Sequence, residues 1–283
     1  MTVVIAAGGT GGHVYPGIAL AREFLRIDPQ TPVLFVGTAR GLEAKVVPHE
    51  GFELATIDAK PVMGGGPLKA LRGLLALPAG IRQSVRLLKA RQAGLVIGIG
   101  GYASPPVVLA AWLLGIPRVL VEPNAYPGVA NRALGPLAQR VFLAFESAGA
   151  RFSRAKVRVV GTPVRRSLME GAGRRADSAA GRQVLVFGGS QGARAINEAM
   201  MAAAPFLKAK EPALVVRHQT GEADHTRVAR AYREAGVQAE VVPYLYDMTE
   251  ALGVADLVVC RAGATTVAEL TASGKPAILI PLP

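Results

Sequence analysis

Three glycine-rich segments of the sequence each follow a short apolar run and precede a helical pattern. They are Gly8-Gly9-Thr10-Gly11-Gly12-His13, Gly98–Ser104 and Gly188–Ala193. Glycines let backbone N–H groups approach an anion closely, and the N-terminus of the following helix adds partial positive charge. The first segment lacks both the spacing of a dinucleotide-binding loop and the Gly-Lys-Ser/Thr of an ATPase loop. Four glycines in five residues exceed the need of a tight turn, so we expect these segments to bind phosphate groups.

A fourth segment, Cys260–Glu269, brings a carboxylate close to the end of a predicted strand. Its Gly-Ala pair turns the chain, and Thr265 or Thr266 is expected to cap the helix that follows. This places Glu269 in the first helical turn. A carboxylate there stabilises the positive N-terminus of the helix, or it accepts hydrogen bonds from the two hydroxyls of a ribose. The pattern alone leaves both interpretations open.

Short β-branched runs alternate with helical patterns along the chain, which predicts parallel sheets covered on both faces. The first series of candidate strands is Val3–Ala7, Val33–Val36, Leu54–Ile57, Leu95–Gly98, Arg118–Val121 and Val141–Ala144. The second series is Val184–Phe187, Leu214–Arg217, Glu240–Val242, Leu257–Cys260 and Ala277–Ile280. The clearest helical patterns are Pro16–Ile27, Leu68–Arg91, Ala193–Lys208 and Thr266–Ser273.

The strand pattern restarts near Gln183, which predicts two domains. Residues 1–160 form the first domain, 161–182 the interdomain crossing and 183–283 the second domain. The crossing contains Pro163 and several Gly and Arg residues, with no sustained apolar period. The predicted fold class is therefore α/β, with two Rossmann-like doubly wound domains facing a cleft. In such folds ligands bind at the carboxyl ends of the strands.

The composition excludes several classes of protein. Of 283 residues, 51% are hydrophobic and 18% are charged, which excludes a disordered chain. The single cysteine, Cys260, excludes a disulfide scaffold and a multi-cysteine metal site, and it fits a reducing cytoplasm. An apolar strand begins at Val3 with no basic region before it, so we expect no signal peptide. No apolar run reaches the ~18 residues of a membrane span.

Positive charge is concentrated in the middle of the chain. Residues 59–169 carry sixteen basic and two acidic side chains, a net charge of +14, whereas residues 1–58 carry −2 and residues 170–283 are neutral. A localised positive field indicates an anionic partner, such as nucleic acid, an anionic lipid surface or a phosphorylated ligand. No nucleic-acid-binding motif accompanies the charge, so we predict no nucleic-acid partner.

The segment Pro67–Arg91 combines nine Leu, Ile and Val residues with six basic residues and no acidic one. We expect Gly73, Pro78 and Gly80 to break it into two pieces. One interpretation is an ordinary core helix with a solvated basic face. The other is a surface whose basic residues contact anionic headgroups while its apolar side chains insert.

Six motifs stand in order along nearly the whole chain. They are Gly8–His13 with Val14-Tyr15-Pro16-Gly17, Gly100-Gly101-Tyr102, Glu122-Pro123-Asn124, Gly161-Thr162-Pro163-Val164-Arg165, Gly188–Ala193 and Cys260–Glu269. Together they resemble the MurG family of glycosyltransferases. The resemblance implies the GT-B fold, with the lipid acceptor on the first domain and the UDP-sugar on the second.

The resemblance also implies an activity. Enzymes of this family transfer N-acetylglucosamine from UDP-GlcNAc, with inversion, to the C4 hydroxyl of N-acetylmuramic acid in undecaprenyl-pyrophosphoryl-MurNAc-pentapeptide. This converts lipid I to lipid II in peptidoglycan synthesis and serves cell-wall biogenesis, cell shape and cell division. It implies a peripheral location on the cytoplasmic face of the bacterial membrane, which agrees with an anionic membrane surface as a partner.

Several residues of the first domain match the family's site. Thr10, Gly11 and Gly12 match a loop that binds phosphate and donor sugar, and Asn124 matches a residue near the GlcNAc. A general base must take the acceptor proton, and His13 is our first choice because an imidazole titrates near neutral pH. The alternative is a neutral His13 that shapes the loop or contacts a phosphate.

The interdomain crossing and the second domain supply the expected nucleotide contacts. Arg165 and Ser190 match residues at the nucleotide or its diphosphate, and Leu245 matches an apolar residue whose backbone lies against uracil. The segment around the ribose and phosphate, with Glu269 on the ribose hydroxyls, comprises Ala264, Thr265, Thr266, Val267, Ala268 and Glu269. The sequence has no Asp-x-Asp pair to hold a metal–diphosphate, so we predict neither a metal nor a cofactor.

The sequence departs from the family's pattern at two places. Val121 and Pro123 stand where the family often has His and Gln. The chain also ends at Pro283, where the family continues with a glutamine-bearing sugar-binding loop and further helices, so we expect a truncated chain. Two alternatives follow: another GT-B nucleotide-sugar transferase, or an inactive remnant that binds a nucleotide sugar.

Overall fold

The structure is a computed structural model that describes residues 1–59, 67–170 and 181–282, with only the backbone for residues 67–75. The chain divides into two compact units, Met1–Pro163 and Val164–Pro283. This division falls inside the stretch 161–182 that the sequence assigns to the interdomain crossing. Residues 171–180 of that stretch lie outside the described residues.

The first unit is built on a seven-stranded parallel sheet with the order β3-β2-β1-β4-β5-β6-β7. The strands are β1 (Thr2–Ala7), β2 (Val33–Gly37), β3 (Glu53–Thr56), β4 (Ala93–Gly100), β5 (Arg118–Glu122), β6 (Arg140–Leu143) and β7 (Val157–Val159). The helices are α1 (Gly11–Ile27), α2 (Glu43–His49), α3 (Pro67–Ala90), α4 (Ser104–Leu113) and α5 (Val129–Leu134). The strand order reverses between β1 and β4, which opens a crevice at their carboxyl ends.

The second unit begins with the short helix α6 (Arg166–Glu170) and has a five-stranded parallel sheet with the order β10-β9-β8-β11-β12. Its strands are β8 (Gln183–Phe187), β9 (Val215–Gln219), β10 (Gln238–Val242), β11 (Leu257–Arg261) and β12 (Ala277–Ile280). Its other helices are α7 (Arg194–Lys210), α8 (His225–Glu234), α9 (Met248–Val254) and α10 (Ala264–Ser273). Here the order reverses between β8 and β11.

Apolar side chains on both faces of the central strands form the cores. In the first unit Val4, Val96 and Leu120 belong to one buried cluster with residues of α3 and α4, and the next residues Ile5 and Ile97, which face the other side of the sheet, are also buried. In the second unit one cluster includes Val216 of β9, and another includes Leu168 of α6. Burial on both faces explains why these strands appear in the sequence as continuous rather than alternating apolar runs.

All eleven candidate strands are confirmed, each with ends within two residues of the observed ones. Strand β7 was not predicted. It has three residues at the edge of the sheet, with Arg158 in its middle and Val159 exposed. Such a short and partly exposed run carries almost none of the apolar signal of a central strand.

Two predictions about helices are wrong. Helix α1 begins at Gly11 and not near Pro16, because the carbonyl of Thr10 already accepts bonds from the N–H groups of His13 and Val14, at 3.1 and 3.2 Å. Helix α3 is continuous from Pro67 to Ala90. A Cβ on Gly80 would lie 3.2 Å from the Pro106 ring, so this glycine permits close packing of two helices and does not break one.

Within the residues that the structure describes, no helix is long and apolar enough to cross a membrane.

Candidate functional site

Four loops meet at the carboxyl edge of the first sheet, following the adjacent strands β2, β1, β4 and β5. Thr10 is exposed at the N-terminus of α1, and Gly11 and Gly12 form its first turn. Gly100 and Gly101 both have positive φ, at 130° and 78°. A Cβ on Gly101 would overlap the backbone of Gly8, so the first two glycine loops pack directly on each other.

Glu43 anchors the first loop from beneath, a role that the sequence analysis missed. It is fully buried, and its carboxylate accepts bonds from the N–H groups of Gly9 (2.9 Å) and Thr38 (2.8 Å) and from the Thr38 hydroxyl (2.8 Å). A Cβ on Gly8 would lie 2.7 Å from Glu43 Oε1. Part of the glycine excess therefore makes room for this carboxylate. The available signal was an acidic residue two positions after Gly41, at the start of the helix that follows β2.

His13 lies at the start of α1 with its ring against the second loop. Its Nδ1 is 3.2 Å from the hydroxyl of Thr10, and a Cβ on Gly100 would lie 2.8 Å from its Nε2. Burial lowers the pKa of His13 below its usual value, although Glu122, Gly8 and Glu43 act in the opposite direction. The imidazole is therefore neutral near pH 7 and able to take up a proton.

Glu122, at the end of β5, organises the loop that contains Asn124. Its carboxylate accepts bonds from the backbone N–H (3.0 Å) and side-chain amide (2.9 Å) of Asn124, from the N–H of Gly128 (2.9 Å) and from Nδ2 of Asn131 (3.0 Å). Asn124 is half-buried, and the bond from its Nδ2 to Glu122 orients its amide group. The structure thus brings Asn124 and His13 to the same edge through Glu122.

A cavity of about 330 Å³ adjoins His13 inside the first unit. Its wall includes Tyr102 and Asn131 as well as small apolar residues of α4 and α5. Such a volume lies at the lower end of the ~300–1,000 Å³ that is usual for ligand pockets.

Residues 76–90 of α3 pack one face of the helix against the core of the first unit and expose the other face to solvent. Ile81, Val85 and Leu87 pack against the core of the first unit, and Leu88 is buried in it. The basic residues Arg82, Arg86 and Lys89 are exposed on the opposite side. For residues 76–90 this matches a core helix with a solvated basic face, and the apolar side chains there do not form an insertion surface. The side chains of Leu71, Leu74 and Leu75 lie outside the described residues.

In the second unit, the loop Gly188–Ala193 joins β8 to α7 and contains the half-buried Ser190. Gly189 and Gly192 have positive φ, at 99° and 76°. A Cβ on Gly192 would overlap the carbonyl of Thr220, so this loop rests on the end of the neighbouring strand β9. The first N–H groups of α7 point out at the end of the loop, where an anion is favoured.

Arg165 and Glu269 form a buried ion pair, which the sequence analysis did not foresee. Nη2 of Arg165 is 2.9 Å from Oε1 of Glu269, and the two side chains are 8% and 10% exposed. Burial raises the pKa of the Glu269 carboxyl above its usual value, and the guanidinium acts against this shift. Two residues assigned separately to the nucleotide thus lie together, next to the strand end of β11.

The predicted position of Glu269 is corrected by one helical turn. Helix α10 begins at Ala264 after Gly263, with no side-chain cap, so neither Thr265 nor Thr266 is the N-cap residue. Glu269 is the sixth residue of α10 and lies in its second turn. Because the Gly263 backbone is already extended there, the helix starts earlier than a threonine cap would allow.

The remaining residues that were predicted to contact the nucleotide differ in how far they are buried. Leu245 is buried in the second unit with Leu168 and Leu185. The N-terminal half of α10 is half-buried, namely Ala264, Thr265, Thr266, Val267 and Ala268. Parallel strands β8 and β11 are neighbours, so Ser190 and α10 both follow strand ends at the reversal point of the sheet.

Known proteins resemble both units. Residues 3–143 match the glycosyltransferase family 28 N-terminal domain and residues 183–283 its C-terminal domain. The chain is 50% identical to the UDP-N-acetylglucosamine--N-acetylmuramyl-(pentapeptide) pyrophosphoryl-undecaprenol N-acetylglucosamine transferase of Anaeromyxobacter sp. (strain Fw109-5), over 100% of this chain and 74% of the relative. The enzyme of the same name from Myxococcus xanthus (strain DK1622) is 49% identical, with the same coverage.

A comparison with solved structures indicates the same family. The crystal structure of Acinetobacter baumannii MurG is 30% identical, with a TM-score of 0.64, and the match covers 100% of this chain and 77% of that one. A UDP-GlcNAc 2-epimerase from Neisseria meningitidis, 13% identical with a TM-score of 0.67 and with 99% and 82% coverage, shares the fold alone. The chain therefore has the GT-B fold and belongs to glycosyltransferase family 28, within the MurG enzymes.

Proposed function

We propose that this chain transfers N-acetylglucosamine from UDP-GlcNAc to the C4 hydroxyl of N-acetylmuramic acid in lipid I, with His13 as the general base. The observation that carries the proposal is the position of His13 at the carboxyl edge of the first sheet, where its ring lies between the first two glycine loops and lines the same cavity as Glu122. Family membership supplies the substrates, because its relatives are named for this transfer.

The chemistry is a direct displacement. As the acceptor oxygen attacks the anomeric carbon of GlcNAc, its proton passes to His13, and the bond to the UDP oxygen breaks with inversion. The imidazolium that forms is stabilised by Glu122 and Glu43 at the moment it carries charge. Thr10, which precedes α1, and Gly11 and Gly12, which form its first turn, are assigned to phosphate and donor sugar, and Asn124 is assigned to the GlcNAc.

The second unit supplies the donor site in this proposal. The leaving UDP gains negative charge, which the N-terminus of α7 and the loop with Ser190 stabilise. Glu269 takes the ribose hydroxyls while it remains paired with Arg165, which in turn lies close to the diphosphate. The backbone at Leu245 is assigned to uracil, and the segment 264–268 to the ribose and phosphate.

The test is an assay with UDP-GlcNAc and a water-soluble lipid I analogue, together with calorimetric binding of UDP. The product should be the β-linked disaccharide, and UDP should bind without the acceptor. UDP binding without turnover would favour the inactive remnant. Turnover with a different acceptor or nucleotide sugar would favour another GT-B transferase.

We also propose that the first unit docks on an anionic membrane surface, which places the enzyme at the cytoplasmic face. The exposed residues Arg82, Arg86 and Lys89 support this, together with the net charge of +14 over residues 59–169. Each basic side chain near an anionic surface contributes about 1 kcal/mol, screened over ~8 Å at physiological salt. The docking of residues 76–90 is electrostatic in this proposal, since their apolar side chains face the core.

Vesicle sedimentation tests the docking. The wild type should bind vesicles that contain anionic lipid, leave neutral ones, and release with added salt. Changing Arg82, Arg86 and Lys89 to Glu should abolish binding. The same change at Arg227, Arg230 and Arg233 of α8 alters net charge equally and should have a smaller effect. Undiminished sedimentation of the α3 variant would remove α3 from the docking surface.

A further inference from the structure

A chain of buried polar side chains runs beneath the Gly188–Ala193 loop. His218 of β9 is fully buried, its Nδ1 lies 2.9 Å from the hydroxyl of Tyr232, and its Nε2 lies 3.1 Å from Oδ1 of Asn197. Asn197 and Tyr232 are each 1% exposed. No substrate reaches these groups, so any influence on the reaction passes through their contacts.

The hydrogen-bond partners determine where each proton lies. Nδ2 of Asn197 donates to the carbonyl of Thr220 (3.0 Å) and to a carboxylate oxygen of Asp224 (2.9 Å). Its Oδ1 is therefore the acceptor, and Nε2 of His218 must donate to it. In a neutral ring Nδ1 then carries no proton and accepts from the Tyr232 hydroxyl. The network is satisfied by one tautomer of uncharged His218.

Asn197 connects this network to the loop. It holds the carbonyl of Thr220, and the backbones of Thr220 and Gly221 contact Gly192 and Gln191 so closely that a Cβ at either glycine would overlap the facing carbonyl. The N–H groups of Thr220 and Gly221 are bonded to the end of β10, whereas the carbonyl of Thr220 is bonded to the Asn197 amide. The position of the loop therefore depends in part on this amide.

We infer that His218 is a positioning residue for the diphosphate loop of the nucleotide site, acting through Asn197 and Thr220 on Gly192. The inference rests on the proposed function of that loop. His218 orients the Asn197 amide, Tyr232 holds the His218 tautomer, and the amide holds the strand end on which the loop rests. Loss of the Nε2–H donor frees the amide to rotate and the loop to shift.

Two substitutions of His218 differ in whether they keep the hydrogen bond to Oδ1 of Asn197. The amide nitrogen of Gln reaches the position of Nε2, whereas the shorter Asn side chain reaches only that of Nδ1. By calorimetry, His218→Asn should weaken UDP binding about tenfold, equivalent to ~1.4 kcal/mol, and uridine binding by less than twofold. His218→Gln should stay within about threefold of the wild type for UDP, because it keeps a donor for Asn197.

A stability control separates positioning from general damage. Val228→Ala removes a buried apolar side chain from the same core cluster and changes none of the hydrogen-bonding side chains of the network. At an equal loss of melting temperature, it should leave UDP affinity unchanged. The inference is wrong if His218→Asn binds UDP as tightly as the wild type, or if Val228→Ala weakens UDP equally.

Hydrogen exchange tests the loop itself without nucleotide. The N–H of Gly192 donates to the carbonyl of Gly189 at 2.9 Å. Its exchange should speed up in His218→Asn and not in His218→Gln. This result decides the positioning step even if the wild type binds no UDP, an outcome that would instead overturn the donor half of the proposed function. Unchanged exchange in both variants would contradict the inference.

Discussion

The two glycine loops that follow β1 and β8 have similar sequences, but different kinds of buried side chain hold them in place. Beneath the first lies the carboxylate of Glu43, which accepts three hydrogen bonds from the loops above it. Beneath the second lies the neutral amide of Asn197, held by the neutral ring of His218. One loop is thus fixed by a fully buried carboxylate. The other is fixed by a neutral amide and a neutral imidazole, with the carboxylate of Asp224 at the outer end of the network.

This difference separates the chemistry of the two loops. Negative charge under the first loop favours a nearby imidazolium, which suits proton uptake by His13. The neutral side chains of Asn197 and His218 under the second loop leave the positive N-terminus of α7 free to attract a diphosphate. Glycine-rich sequence therefore specifies close backbone approach, while the buried side chain beneath it decides which charge is stabilised.

The largest expected effect is the loss of His13. His13→Ala should lower turnover by ~10²–10⁴-fold and leave UDP affinity unchanged, because it removes the proton acceptor and not the donor site. Single-turnover rates and calorimetry measure the two effects. His49→Ala, an exposed histidine of the same unit, is the control. A loss of less than tenfold, or a change in the acceptor KM alone, would place the base elsewhere.

Glu269→Ala should destabilise the protein by about 3–5 kcal/mol, because it leaves the guanidinium of Arg165 buried without its carboxylate. Urea unfolding followed by circular dichroism measures the change. Glu170→Ala removes an exposed ion pair with Arg166 and should cost at most ~1 kcal/mol. Calorimetry should also show weaker UDP-GlcNAc binding, by roughly 1–3 kcal/mol.

A double variant sharpens that result. Replacing both Arg165 and Glu269 with Leu removes the two charges together and should recover much of the stability. UDP affinity should not recover, because the ribose acceptor is still missing. Recovery of both properties would reduce Glu269 to a structural role and weaken the contrast between the two units.

The neutral imidazole of His218 beneath the second loop predicts that the stability of the protein depends on pH. Burial lowers the pKa of His218 to about 4, so the unfolded chain binds more protons than the folded one between roughly pH 6.5 and pH 4. Stability should therefore fall with falling pH through that window. Between pH 7 and pH 5 the free energy of unfolding should fall by about 2 kcal/mol more in the wild type than in His218→Gln.

The difference between the wild type and His218→Gln isolates the contribution of His218 from that of the other titratable groups. The lowered pKa of His13 acts in the same direction and the raised pKa of Glu269 in the opposite one, and both remain in the variant. Tyr232 and Asp224, the titratable groups of the network, do not change charge between pH 7 and pH 5. Parallel stability curves for the two proteins would show that His218 does not titrate in this window.

The smallest effect tests the first loop. Glu43→Gln keeps the size of the side chain and replaces one acceptor of a backbone N–H with a donor, so we expect turnover to fall about tenfold, equivalent to ~1.4 kcal/mol. UDP affinity should remain unchanged. Glu23→Gln, on the exposed surface of α1, is the control. If UDP affinity fell as well, the separate roles of the two supports would be wrong.

The sequence by itself determined the fold class, the strands and the loops that carry the site. Continuous apolar runs of β-branched residues are local signals, and they predicted eleven strands, while a short edge strand around Arg158 carried too little signal. Glycine spacing placed the loops at strand ends for the same local reason. The family motifs then indicated His13, Asn124 and Ser190 without any knowledge of their neighbours.

Only the tertiary structure decided which side chains support these residues. Glu43 lies 34 residues from Gly9, and Arg165 lies 104 residues from Glu269, so no local pattern joins either pair. Parallel strands bring their carboxyl ends to one edge, and burial there removes the competing water. A carboxylate, an amide or an imidazole must then find its partner within the protein, and which one it finds depends on the order of strands in the sheet.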